Sequence, residues 1–189
     1  MSRRWPLPAL GPALGLALAV FAIDQAIKYW ITGVLELDET GAVREVTGFF
    51  RFTFVANCGI SLGLLGSHSD TRWVRVALTL VTSGIALAVL TWLWREKNAV
   101  DRLALGGIFG GALGNIADRL IPAGTLAKIT SGGVAYPGCV IDLADFHIGE
   151  WRPFLVFNVA DAAITVGVLV LLVRALLGRD RRPEEKVNA

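Results

Sequence analysis

The sequence predicts an all-α membrane protein, four transmembrane helices with a small extracytoplasmic β-rich loop region. Three observations lead there. Of 189 residues, 54% are apolar and only 18% are charged, a balance that a soluble domain of this length rarely shows. Four apolar stretches, about 10–31, 73–94, 103–121 and 154–177, each match the length of about 20 residues that a helix needs to cross a hydrocarbon core. The basic residues are also distributed unevenly between those stretches. The small formal net charge of +2 gives no reason to expect a nucleic-acid partner.

The first stretch follows Arg3 and Arg4 and has the look of a signal peptide. However, Asp24, Gln25 and Lys28 lie within it and no small-residue cleavage site follows, so it is read as a retained span. Arg95, Lys97 and Arg102 fill the short link between the second and third stretches, and Arg179, Arg181, Arg182 and Lys186 follow the fourth. Basic residues favour the cytoplasmic side, so both termini are expected there. The long connections 32–72 and 122–153 then lie outside. All six tryptophans, Trp5, Trp30, Trp73, Trp92, Trp94 and Trp151, fall at the ends of the predicted spans, where aromatic belts form. Residues 1–178 are read as one domain and 179–189 as a solvated tail.

In the first outer connection, Phe50-Arg51-Phe52-Thr53-Phe54 alternates apolar and polar side chains. That is the period of a strand, and a small amphipathic sheet at the membrane surface is expected. The second connection contains Thr130-Ser131-Gly132-Gly133 and Pro137-Gly138, turn chemistry that suits a flap or a connector. In the third span Gly106, Gly107, Gly110, Gly111 and Gly114 recur at helical spacing, which suits close packing of helix backbones.

Polar residues inside spans are costly and mark a site or a buried network. With the orientation above, Asp24 and Lys28 of the first span, Asn115, Asp118 and Arg119 of the third, and Asn158 and Asp161 of the fourth all come to the outer level. Each set is spaced by three or four residues and can share a helical stripe. Asp142 and Asp145 return to the same level from the second connection. His68 and His147 are isolated and read as solvated, and the residue types do not form a metal-ligand set, so no metal or cofactor is expected. Two neighbouring carboxylates can share a proton, one activating water while the other polarises a carbonyl. Spacing alone equally allows a solute path or a structural network of Asp24 with Lys28 and Asp118 with Arg119.

At these residues the chain resembles the signal peptidase II family, the lipoprotein signal peptidases. Asp24-Gln25-x-x-Lys28 is similar to its first motif, and the stretch from Gly110 to Arg119 to its most recognisable one. Val140-Ile141-Asp142 and Phe157-Asn158-Val159-Ala160-Asp161 resemble the segments that carry the family's catalytic aspartates. The resemblance implies an aspartic endopeptidase of the bacterial cytoplasmic membrane, acting on prolipoproteins before a diacylglyceryl-cysteine, near the outer face, without a cofactor. Asp142 and Asp161 would be the catalytic pair, with Asp142 preferred to Asp145 by its place after Val140-Ile141. Asn115 and Asn158 would hold substrate or water, and Asp24, Lys28, Asn57, Gly59 and Arg119 would support the site or touch substrate. Asp118 would anchor the second connection or pair with Arg119. Membrane lipid is the expected surrounding, and a monomer the expected state.

Two features depart from the family pattern. The stretch Asn57-Cys58-Gly59-Ile60-Ser61-Leu62 keeps Asn57 and Gly59 but lacks the family's aromatic residue, and the segment from Arg119 to Asp142 is longer than usual. Altered substrate range, or binding of lipidated peptide with little turnover, is a further expectation from these departures. Cys58 and Cys139 are both placed outside, where oxidation permits a bond; they are read here as free thiols.

Overall fold

The computed structural model describes residues 7–58, 71–120 and 138–179. Among these residues, four long helices and a three-stranded sheet follow one another: α1 (Leu7–Tyr29), a π-helical turn (Trp30–Val34), β1 (Val43–Thr47), β2 (Phe50–Asn57), α2 (Thr71–Arg95), α3 (Ala99–Leu120), β3 (Val140–Phe146) and α4 (Val159–Arg179). The predicted tail beyond residue 179, Gly59, His68 and the first half of the second connection lie outside the described residues.

Leu10–Val34, Trp73–Arg95 and Val159–Leu177 are long and apolar enough to cross a membrane. The remaining predicted span, 103–121, forms the helix α3 but does not reach that mark, because five glycines and the polar end Asn115, Asp118 and Arg119 dilute its hydropathy. α3 is instead the packing centre, in contact with α1, α2 and α4. A Cβ at Gly106 or Gly110 would run into the backbone of Ala13 or Ala17 on α1, and one at Gly111 would stand 2.5 Å from the carbonyl oxygen of Ala160 on α4. The glycine rows thus serve two neighbours, one on each side. At the other end of α3, Asn98 Oδ1 accepts the backbone N–H of Val100 at 2.9 Å and caps the helix. Arg174 Nε donates to Asp101 Oδ1 at 2.5 Å, tying the end of α4 to the start of α3.

The sheet has the order β1-β2-β3, antiparallel throughout. Its β2 begins at the predicted Phe50, while β1 and β3 were not foreseen. Ile31, Leu37, Phe54, Ile141 and Leu143 form an apolar core that joins the sheet to the end of α1. Phe50 packs on Phe52 and Phe146, and Phe146 stacks on Phe157.

Three expectations are corrected. The fourth predicted span starts at 154, but α4 starts at Val159. Phe157 is held outside the helix because its N–H donates to the Ala144 carbonyl at 3.1 Å and its own carbonyl accepts from Ala144 N–H at 2.8 Å. Cys58 and Cys139 are joined as a disulfide rather than free, since β2 and β3 bring them opposite one another. His147 is not simply solvated: it is half-buried, with Nε2 3.3 Å from Glu45 Oε2.

Candidate functional site

The polar residues meet where the C-terminal end of α1, the C-terminal end of α3, the strand β3 and the first turn of α4 converge. Asn158 sits just before α4 and caps it. Its Oδ1 accepts the backbone N–H of Asp161 at 2.8 Å, and Asp161 Oδ2 in return accepts the N–H of Asn158 at 3.4 Å. This is a reciprocal capping box. Asn158 therefore stands at the N-cap and not on a helical stripe with Asp161, as the spacing had suggested.

The cap leaves the amide nitrogen of Asn158 free to bind elsewhere. Nδ2 donates to Asp142 Oδ1 at 2.8 Å, and lies 3.2 Å from Asn115 Oδ1 and 3.3 Å from the Ile141 carbonyl. Asn115 in turn donates through Nδ2 to Asp161 Oδ1 at 2.8 Å. From the sheet, Asn57 Nδ2 donates to Asp142 Oδ2 at 3.1 Å. Asp142 and Asp161 are thus held within one web of three asparagine side chains. Asp142 is 3% exposed, and burial, then the charge of Asp161, push its carboxyl up to about 7 against the opposing bonds from Asn57 and Asn158.

Beneath this web lies a second, in which Asp24, Lys28 and Asp118 are buried and Gln25 is half-buried. Lys28 Nζ donates to Asp24 Oδ2 at 2.7 Å and to Asp118 Oδ2 at 2.6 Å. Gln25 Nε2 donates to Asp118 Oδ1 at 3.0 Å and to Asp24 Oδ2 at 3.1 Å. Asp24 Oδ1 accepts the N–H of Ala160 at 3.0 Å, which fixes the first turn of α4. The expected pairing of Asp24 with Lys28 is present. Asp118, however, pairs with Lys28 and accepts the N–H of Ile141 at 3.1 Å, which makes it the anchor of β3. Gln25 lies in the first motif, and its spacing from Lys28 carries no signal that it reaches α3.

Asp145 is separated from the centre by strand geometry. It lies three residues from Asp142 on β3, and odd separations on a strand point to opposite faces. Its Oδ2 accepts from Arg51 Nε at 2.8 Å and from Thr53 Oγ1 at 3.0 Å. Burial opposes its ionisation, but these bonds and the charges of Arg152 and Arg51 outweigh it and hold the carboxyl below its ordinary range. Arg119 is half-buried, donates from Nη1 to the Asn115 carbonyl at 3.3 Å, and lines a cavity of about 470 Å³ with Arg75, Val76, Thr79, Leu80 and Gly138.

Apolar helices of membrane-crossing length, gathered around a centre of carboxylates and carboxamides, define a membrane protein with a buried polar site. A family model described as signal peptidase (SPase) II matches residues 16–177. A lipoprotein signal peptidase of Rhizorhabdus wittichii is 47% identical over 177 residues, 93% of this chain and 92% of that protein. One from Sphingopyxis alaskensis is 46% identical over 171 residues, 90% of this chain and 88% of that protein. Among solved structures, a bacterial membrane enzyme determined by the in meso method superposes with a TM-score of 0.70 at 24% identity, covering 100% of this chain and 99% of that one. The chain belongs to the signal peptidase II family and is a membrane protease.

Proposed function

We propose that this protein is an aspartic endopeptidase that removes signal peptides from prolipoproteins, cutting before a diacylglyceryl-cysteine, with Asp142 and Asp161 as its catalytic pair. The observation that carries this reading is the dual role of Asn158, which bonds Asp142 through Nδ2 and Asp161 through Oδ1 and its own N–H. Two carboxylates gathered in this way can divide the labour of amide hydrolysis. Asp142, with its raised affinity for a proton, polarises the scissile carbonyl, and Asp161 takes a proton from the attacking water. The pair titrates as a unit. Asn115 and Asn158 orient the two carboxylates, Asn57 holds Asp142 from the sheet, and Asp24, Lys28 and Asp118 fix the backbones that carry them. Arg119 touches substrate from the cavity that it lines.

α3 is taken as the fourth span, lowered in hydropathy because its neighbours, not lipid, cover it. Both termini are on the cytoplasmic side of a bacterial cytoplasmic membrane in this reading, which the basic links and ends support. The site then lies near the outer face, where the lipidated cysteine of a substrate would be anchored. A monomer in membrane lipid suffices, since one chain supplies every group named.

Cleavage of a diacylglyceryl prolipoprotein by the purified protein in detergent tests this reading. Asp142→Asn and Asp161→Asn should each reduce turnover by about 10²-fold or more, the range of a lost acid or base. Cleavage that survives both single replacements would remove the pair from the mechanism.

A further inference from the structure

The disulfide occupies a particular place in the sheet. The last ladder pair between β2 and β3 is Asn57 with Val140, so Cys58 and Cys139 are the next opposed residues, with Cα atoms 4.1 Å apart. Asp142 is paired across the ladder with Val55, so the bond from Asn57 to Asp142 is diagonal. Diagonal contacts span more distance than direct ones and depend on the strands keeping their separation. Asn57 is also the terminal residue of its strand, where a ladder frays first.

We infer that the Cys58–Cys139 disulfide is a positioning cross-link for the reaction: it keeps the end of the β2–β3 ladder closed so that Asn57 stays on Asp142, and turnover therefore depends on the oxidation state of these two sulfurs. The inference deepens the peptidase reading and rests on it. Cys139 is 1% exposed, whereas Cys58 is half-buried, so a small dithiol has an approach from the Cys58 side. Dithiothreitol delivers two electrons and two protons: the Sγ–Sγ bond breaks to give two thiols, and the reagent closes to its cyclic disulfide. Formation is the reverse, with an oxidised disulfide-exchange protein or reagent accepting the electrons. Neither sulfur takes part in peptide cleavage.

The test uses the full chain in detergent with a diacylglyceryl prolipoprotein, oxidised or reduced by dithiothreitol, the redox state being read by mass after alkylation. Reduction is expected to lower kcat about tenfold with KM changed by less than twofold. It should also move the alkaline limb of the pH profile upward, because the Asn57 bond favours the ionised form of Asp142. Asn57→Ala should show both effects when oxidised, and reduction should add little to them. A Cys58→Ala/Cys139→Ala protein should resemble the reduced enzyme and ignore dithiothreitol. An unchanged kcat and pH limb on reduction overturns the inference, as does full additivity of reduction with Asn57→Ala. If the oxidised protein cleaves nothing, the peptidase reading has failed, and hydrogen exchange decides the clamp separately. Faster exchange at 55–58 and 139–142 on reduction supports it, and unchanged exchange overturns it.

Discussion

Asp118 accepts the backbone N–H of Ile141 at 3.1 Å with the same Oδ2 that receives Lys28 Nζ at 2.6 Å. One carboxylate oxygen thus joins α1, α3 and the strand residue immediately before Asp142. Asp118→Ala should destabilise the protein by about 3–5 kcal/mol, because it leaves a buried ammonium with half its partners. Asp118→Asn, which keeps an acceptor for Ile141, should recover part of the turnover. Thermal unfolding in detergent beside cleavage rates tests this; equal activity in the Ala variant and wild type would deny Asp118 its anchoring role.

Asn158 performs two tasks that one substitution can separate. Asn158→Ser retains an oxygen acceptor for the first turn of α4, whereas Asn158→Ala loses it at about 1 kcal/mol. Neither can donate to Asp142 as the carboxamide does. The Ser variant should therefore unfold near the wild-type temperature yet share the large loss of kcat seen with Ala. Should Ser rescue activity along with stability, Asn158 is only a cap.

Gly107 and Gly114 offer a matched pair on α3. A Cβ at Gly114 would stand 2.7 Å from Asp24 Oδ2, while one at Gly107 would meet the Ala163 carbonyl at a comfortable 3.9 Å. Gly114→Ala should displace Asp24 from Ala160 N–H, costing about 1–3 kcal/mol and most of the activity. Gly107→Ala should be nearly silent in both measurements, and equal sensitivity at the two positions would contradict this packing.

The pH dependence follows from Asp142, whose affinity for a proton is raised from an ordinary 3.8 to about 7. Between those values the folded protein holds a proton that the unfolded chain releases, so stability falls as pH rises and levels off above about 7. Asp142→Asn should remove that slope from denaturation curves collected at a series of pH values. In wild type, turnover should decline as pH passes above about 7 and the acid is lost; a rate still rising there would reverse the proposed roles.

Asp145 has the opposite sign. Its lowered affinity means that the contribution of Arg51 and Thr53 is present above the ordinary carboxylate range and is lost as pH falls through the folded value. Arg51→Met should lower stability at neutral pH and make unfolding less sensitive to acid, with circular dichroism as the readout. A neutral-pH stability equal to wild type would show that Thr53 and Arg152 suffice.

Sequence patterning reached the helices and the polar level because both are written in composition. Asp24, Lys28, Asn115 and Asp161 stand out against apolar neighbours, and their shared level follows from the alternating direction of the helices. β3 escaped because Val140, Ile141, Asp142 and Leu143 are all buried, so no alternation appears. The start of α4 was misplaced because hydropathy reads Phe154–Leu177 continuously, whereas the backbone of Phe157 is already bonded to Ala144. Asn158 had the residue type of a cap, but only that boundary made it one. Which of Asp142 and Asp145 faces the asparagine web depended on the strand, and the pairing of Asp118 with Lys28 on how α1 packs against α3; no local pattern encodes either. The two cysteines belong to the same class: they lie 81 positions apart, and only the ladder makes them neighbours.

The glycine faces of α3 govern the order in which the helices can assemble. A segment whose sides are bare backbone offers much to another helix, so α3 owes its position in the fold to docking against its neighbours. α1 precedes it in synthesis and presents Ala13 and Ala17 to it, while α4 arrives afterwards to cover the other side. Delivery of Asn115 and Asp118 to their partners is then an act of assembly, and a defect in either neighbour would strand the site's central helix before any chemistry could begin.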